Sequence, residues 1–329
     1  MNKMSPMPED ILRVENLAKH FPMGSSFFSL KGESLGLRAV DRVSFSIPKG
    51  GTLGLVGESG SGKSTTARLI TRLIEPTAGK VYFQGQEILS LSDRAFRKVR
   101  PRIQMVFQDP YASLNPRIRI RSILGTPLRL HQMVPPAQIQ DRVVELLEMV
   151  GLEADQAGGY PHQFSGGQRQ RISIARAMAL EPDVIIADEP VSALDVSVRA
   201  QILNLLRRLQ ESQGVSYLFI AHDLSVVRHF CDRVAVMYGG KIVEEAGVEE
   251  LFGSPLHPYT EVLLSAIPTP ESRFGYQPQF LKGELSSVTQ PGAGCILQDR
   301  CPLVESQCRE GEVAWDEKKP GHWVACHLR

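Results

Sequence analysis

The sequence predicts an α/β fold on a mostly parallel sheet, with an inserted helical subdomain and a small cysteine-rich C-terminal extension. Three observations carry that expectation. Short apolar segments alternate along the chain with segments of helical period, as in strands joined by crossover helices. One apolar segment, residues 52–56, runs into a glycine-rich turn and then into a helix pattern. Four of the five cysteines, Cys295, Cys301, Cys308 and Cys326, fall in the last 35 of 329 residues, which sets the tail apart.

The elements follow in order. Residues 11–17 alternate as a short strand, and 24–37, rich in Gly and Ser with no period, read as a loop. The strand at 52–56 is followed by a helix with Ala67, Leu69, Ile70 and Leu73 apolar, stopped by Pro76. Residues 81–83 and 103–107 are further strands, and 109–116 is a turn cluster. Ile139, Val143, Leu146, Leu147 and Val150 give 137–150 a helical period. A second helix spans 168–180, opened by Gly166 and Gly167. Strands return at 184–187 and 217–220 with a helix at 196–212 between them, and 234–237 and 241–245 flank the hairpin pair Gly239 and Gly240. Past about residue 253 the chain reads as Pro-rich and irregular up to the cysteines, and no internal repeat is visible. The expected domains are 1–253, with a helical subdomain at about 109–180, and an extension at 254–329.

Apolar residues make up 42% of the chain and charged residues 22%, an ordinary soluble mix. Lys plus Arg is 37 against 36 for Asp plus Glu, so bulk charge gives no support for nucleic-acid binding. No apolar run reaches the ~18 residues of a membrane helix, and residues 1–10 lack the apolar core of a secretory signal. A cytosolic chain with reduced thiols is expected.

The turn after the 52–56 strand reads Gly57, Glu58, Ser59, Gly60, Ser61, Gly62, Lys63, Ser64, followed by Thr65. This is the spacing of a phosphate-binding loop between a strand and a helix. Its glycines let backbone N–H groups turn inward around phosphate oxygens, and the helix adds its positive end. Lys63 reaches the β- and γ-phosphates and the Ser64 hydroxyl is a Mg²⁺ ligand. A second apolar strand, 184–187, ends in Asp188 and Glu189. Asp188 is placed to bind Mg²⁺ through water, and Glu189 to polarise an attacking water.

These motifs stand in one order with Gln108, with Ser165, Gly166, Gly167 and Gln168, with Ser192 to Asp195, and with His222. Over roughly residues 10–250 the chain resembles the ATPase subunit of ABC transporters, a P-loop NTPase core. The Ser-Gly-Gly-Gln stretch is the discriminating element, with Phe164 where Leu is commoner. The resemblance implies two ATP molecules bound between two head-to-tail subunits. Residues 57–65 and Gln108 would hold one ATP, with Lys63, Glu189 and His222 catalytic and Mg²⁺ on Ser64, Gln108 and Asp188. Ser165 through Gln168 would meet the partner's ATP, and Asp195 would bridge to the opposing phosphate loop. Phe21 resembles the aromatic that stacks on adenine; a core aromatic after a strand is the alternative, and Phe27 and Phe28 could compete for the role.

Three further stretches narrow the likeness. Residues 106–116, residues 187–201, and Ser254, Pro255, Leu256, His257, Pro258, Tyr259, Thr260 resemble the oligopeptide/dipeptide/nickel importer subfamily, closest to the second ATPase subunit of dipeptide importers. The tail cysteines match the same group, and there the resemblance implies a [4Fe–4S] cluster on Cys295, Cys301, Cys308 and Cys326. Their spacing lacks the tight pairs of most zinc sites. Zinc, with His322 or His327 in place of a thiolate, and free or disulfide-linked thiols are the alternatives, a cytosolic location arguing against disulfides; Cys231 reads as a core residue. The cluster would staple a Pro-rich segment, 269–292, that cannot build its own core.

The function implied is an Mg-ATP hydrolase driving import of dipeptides or short oligopeptides, at the cytoplasmic face of the bacterial inner membrane. Its implied partners are a second, homologous ATPase subunit, two membrane permeases and a periplasmic or extracellular peptide-binding protein. Nickel chelates, glutathione-like peptides and peptide antibiotics are alternative cargoes, and a non-transport ABC ATPase is the remote alternative.

Overall fold

The computed structural model describes residues 10–22, 36–267, 281 and 294–329. Phe27 and Phe28, most of the 24–37 loop and the 269–292 staple argument lie outside these residues. The chain divides into two units, each assembled from separate stretches.

The first unit comprises Met1–Leu12, Ile47–Gly51 and Gln84–Ile220. Its centre is three parallel strands in the order Ile103–Val106, Val184–Asp188, Ser216–Ala221. The last two strands are buried at every position, which is why they read as unbroken apolar runs without alternation. In register, Val106 faces Ala187 and Asp188 faces Ile220, so the strands end at a common level. Between Val106 and Val184 the chain is helical, as the sequence predicts. Ile139–Met149 and Gly166–Met178 match the two expected helices to within a turn.

A third helix, Ile120–Leu130, was not legible because Gly125 and Pro127 interrupt its pattern. It forms because Ile120, Ile123, Leu124 and Leu128 share one buried face. The 109–116 turn cluster contains one short helix, Pro110–Ser113, capped by the Asp109 side chain. The helices Gly166–Met178 and Val196–Gln213 touch at Gly167. A Cβ there would lie 2.4 Å from Val198 Cγ1, so only glycine allows this approach.

The second unit comprises Arg13–Ser46, Thr52–Phe83 and Ala221–Arg329. One sheet runs in the order Asp316–Lys319, His322–Val324, Lys241–Gly247, Arg233–Tyr238, Thr52–Val56. The last pair is parallel and the others antiparallel. The expected hairpin around Gly239 and Gly240 is present, and the C-terminal hairpin extends its sheet. A second sheet holds Gly36–Pro48, Asp10–Pro22 and Ala78–Phe83 in that order. Gly36 and Leu37 are thus strand, not loop. The helix after the glycine-rich turn, Lys63–Ile70, stops before Leu73, which is 54% exposed. Cys231 is buried in the core against Gly54, as expected of it.

The reading of residues past 253 as irregular is corrected by a helix, Pro258–Ser265. His257 caps it, its Nδ1 accepting from Tyr259 N–H at 3.2 Å. The backbone N–H groups of Leu256 and His257 donate to the buried carboxylate of Glu244 at 2.7 and 2.9 Å. His322 Nε2 donates to the same carboxylate at 2.7 Å, so one anion on Lys241–Gly247 fixes both the helix start and the C-terminal hairpin. Among the described residues no helix is long and apolar enough to cross a membrane.

Burial holds the pKa of His257 at about 3, against 6.5 for the free side chain. The unfolded chain therefore binds more protons below about pH 6.5, and the fold loses stability as pH falls from there towards 3. We expect His257→Asn, a cap that does not titrate, to show a shallower loss of melting temperature between pH 6.5 and 4.5. Parallel melting curves for the two proteins would show that His257 is not the source.

Candidate functional site

The glycine-rich turn lies in the second unit, at the end of a strand buried throughout, Thr52–Val56. Gly57 has φ +151, and a Cβ there would stand 2.1 Å from the Met237 carbonyl oxygen. The turn is thus pressed against the neighbouring strand. Lys63 is buried and curls back over the turn, its Nζ donating to the carbonyls of Gly57 and Glu58 at 2.8 Å each and to Ser61 Oγ at 3.3 Å. Gly62 caps the helix without a side-chain bond, so the helix presents backbone N–H groups at its start. Ser59 and Gly60 are exposed at the tip, while Ser64 and Thr65 are half-buried in the first helical turn. A buried lysine drawn onto its own loop, with a helix start behind it, has the chemistry of an anion cradle.

His222 and Phe21 belong to the same unit. His222 is exposed, one residue past the end of Ser216–Ala221. Phe21 closes the first strand, 37% exposed, with Lys19 Nζ 5.1 Å from its ring centre. An aromatic ring held at the surface is available for stacking, which a core aromatic is not.

The first unit brings Gln108 and Glu189 together. Gln108 Nε2 donates to Glu189 Oε2 at 2.9 Å, two residues past one strand and one past the next. Asp188 is buried at the last position of its strand. Glu189 has φ 46, a left-handed conformation for a non-glycine residue, with its N–H bonded to Ile220 O at 3.0 Å. Ser165 and Gln168 form a reciprocal cap: Gln168 N–H donates to Ser165 Oγ at 3.3 Å and Ser165 N–H to Gln168 Oε1 at 3.0 Å. Both side chains thus serve the helix start, which presents the peptide groups of Gly166 and Gly167. Asp195 is exposed and starts the helix Val196–Gln213 without a side-chain cap bond.

The four tail cysteines are free thiols, Cys295 and Cys308 buried, Cys301 and Cys326 half-buried. Cys295 N–H donates to Cys308 O at 2.8 Å. Burial pushes the Cys295 thiol up to about 11, with smaller contributions from Cys308, Cys326 and Cys301. Cys301 and Cys326 are raised by burial too, and each also feels Cys308. The thiols share one electrostatic neighbourhood, which suits a four-thiolate group in donor chemistry. Their spacing does not close on an ion: among the described residues no group of three or more His, Cys, Asp or Glu has the geometry to hold one. His322 bonds Glu244 through Nε2, while its buried Nδ1 has no hydrogen-bond partner among the described residues. His327 Nε2 is buried without a partner in the same way, so both histidines stay open to the zinc alternative.

Sequence reasoning missed the residues that hold Glu58. Tyr259 and Arg300 contact it from 201 and 242 positions away, a pairing that no local pattern signals. The only hint was the stretch from Ser254 to Thr260, read as a subfamily mark.

Two families match the chain: ABC transporter over residues 40–192, and Oligopeptide/dipeptide transporter, C-terminal region, over 243–308. The oligopeptide transport ATP-binding protein AppF of Bacillus subtilis is 53% identical over 323 residues, covering 97% of this chain and 98% of that protein. A putative peptide import ATP-binding protein of Brucella ovis is 48% identical over 316 residues, 96% of this chain and 97% of that one. Among solved structures, cbiO1 of Clostridium perfringens, part of the ABC transporter complex cbiONQ, superposes with a TM-score of 0.64 at 28% identity, over 75% of this chain and 92% of its own. The ATP-binding cassette MJ0796, as a post-hydrolysis dimer bound to ADP and Pi, gives 0.63 at 31% identity, over 72% and 98%.

The crowding at Gly57 gives a direct test of the cradle. Gly57→Ala is expected to cost about 1–3 kcal/mol, read from thermal melting, because the Met237 carbonyl must move. The same variant is expected to lose at least about tenfold in nucleotide affinity, read by fluorescent-nucleotide titration, since the N–H groups no longer converge. Unchanged affinity would remove the turn from the binding site.

Proposed function

The chain belongs to the ABC transporter family, as an ATP-binding subunit carrying the C-terminal region of oligopeptide/dipeptide transporters, and on that premise we propose how its residues drive peptide import. It is an ATPase, and its relatives are the ATP-binding subunits of peptide importers. Family members bind Mg-ATP and work as an ATPase dimer with membrane permeases. The observation that carries the reading is the phosphate cradle, where buried Lys63 waits on the carbonyls of Gly57 and Glu58. A nucleotide offers that ammonium its γ-phosphate in place of two backbone carbonyls, so the charge is already positioned when substrate arrives.

In this reading Glu189 polarises the lytic water. Its strained backbone and the Gln108 amide hold the carboxylate at the strand end, the edge of a parallel sheet where ligands bind. Ser165, Gly166 and Gly167 offer their helix start to the partner's nucleotide, His222 contacts the γ-phosphate, and Phe21 stacks on adenine. Ser64, Asp188 and Gln108 are the residues that would serve as Mg²⁺ ligands, and the ion would supply charge neutralisation on the phosphates. The second ATPase subunit is a homologue, and a peptide-binding protein delivers the cargo. Dipeptides or short oligopeptides are the cargo class, read from the names of the family and the relatives. The chain sits at the cytoplasmic face of the bacterial inner membrane, held there by its permeases.

The finer reading of the tail is a [4Fe–4S] cluster on Cys295, Cys301, Cys308 and Cys326, supported by four free thiols in one neighbourhood. Anaerobically purified protein is expected to contain iron and acid-labile sulfide in equal amounts. Stoichiometric zinc without iron would overturn the cluster.

Catalysis is tested by Glu189→Gln in the assembled transporter. Hydrolysis is expected to fall by on the order of 10²–10⁴ while ATP binding is kept, because the loss lies in the chemical step. Wild-type turnover in that variant would remove Glu189 from the catalytic role.

A further inference from the structure

We propose that Tyr259 and Arg300, both in the C-terminal region, are positioning residues for nucleotide binding that act through Glu58 of the phosphate loop. The proposal rests on reading residues 57–64 as the loop that takes ATP. Glu58 is gripped at two points. Its backbone N–H donates to Tyr259 Oη at 2.7 Å. Its carboxylate accepts from Arg300, Nη1 to Oε2 at 2.9 Å and Nη2 to Oε1 at 3.4 Å, a two-point pairing that fixes orientation as well as distance. The Arg300 side chain is only 9% exposed, so this pair is weakly screened by solvent.

The grip is braced. Arg300 Nη1 also donates to Tyr238 Oη at 3.3 Å. Tyr238 meets the Tyr259 ring edge-on, 4.8 Å between centres. Three side chains thus close around the second residue of the loop, while Gly57 abuts the Met237 carbonyl on the adjoining strand. Tyr259 and Arg300 fall outside residues 40–192, matched by the ABC transporter family, and inside 243–308, matched by the transporter C-terminal region. The mouth of the cradle is therefore held by a segment added after the ATPase core.

The consequence falls on binding. Lys63 waits on the carbonyl of Glu58 itself, so whatever holds Glu58 also sets where the ammonium sits. A loop free at this position would have to be ordered by the nucleotide, at a cost in affinity. A grip present before binding changes ground-state affinity and leaves the chemical step alone. Arg300 adjoins Cys301, and the N–H groups of both donate to Leu297 O, at 2.9 and 2.8 Å. One turn of chain thus carries both a tail thiol and the arm that reaches the phosphate loop.

The experiment measures KM and kcat for ATP in the assembled transporter, for Arg300→Met, Arg300→Lys and Tyr259→Phe beside Lys63→Ala. Arg300→Met and Tyr259→Phe are expected to raise KM about three- to tenfold, with kcat within about twofold of wild type. Arg300→Lys recovers part of the loss by restoring charge without the planar fork. Combining Glu58→Gln with Arg300→Met is expected to cost no more than the worse single change, because both break one contact. Tyr259→Phe keeps the ring packing, so it reports even where Arg300→Met loosens the tail. KM unchanged in both variants, with ATP binding lost in Lys63→Ala, overturns the positioning role alone. A fall in kcat at unchanged KM overturns it as well. ATP binding retained in Lys63→Ala overturns the loop reading itself.

Discussion

A single buried carboxylate organises the second unit. Glu244 is fully buried, and three N–H groups converge on it, from Leu256, His257 and His322. A carboxylate so placed is tolerable only while its donors stay in position, and losing one leaves a buried charge short of a partner. Two of the donors begin the helix that carries Tyr259, and the third anchors the C-terminal hairpin to the sheet. The hairpin also covers what would otherwise be an open strand edge. The geometry of the tail, including its reach to the phosphate loop, hangs on this anion.

The meeting of Gln108 and Glu189 in the first unit follows from a simpler rule. Parallel strands in register end at one level, and the residues just past those ends come side by side. Gln108 and Glu189 lie far apart in sequence and meet at 2.9 Å because their strands are neighbours. The apolar runs that make these strands thus also align the polar residues that follow them.

Much of this was legible from local pattern. A buried parallel strand, a glycine-rich turn and a helix start are consecutive in sequence, so residues 52–70 could be read directly. Helices with an uninterrupted apolar face, such as Ile139–Met149, were equally plain. Local pattern fails where a breaker sits inside an element that tertiary packing rescues, as Pro127 does within Ile120–Leu130. It fails also where partners are distant. Glu244 with His322, and Glu58 with Tyr259 and Arg300, are pairings of topology, and each residue alone reads as an ordinary polar surface position. The tail cysteines stood out by crowding, while the structure adds their shared surroundings.

With the catalytic role proposed for Glu189, its backbone sets stability against activity. At φ 46 a glycine would sit without strain, whereas a side chain there costs on the order of 1 kcal/mol. With that proposed role, a library of this chain selected on heat resistance alone would drift towards glycine at position 189 and lose turnover, so directed evolution towards robustness has to screen turnover in the same round.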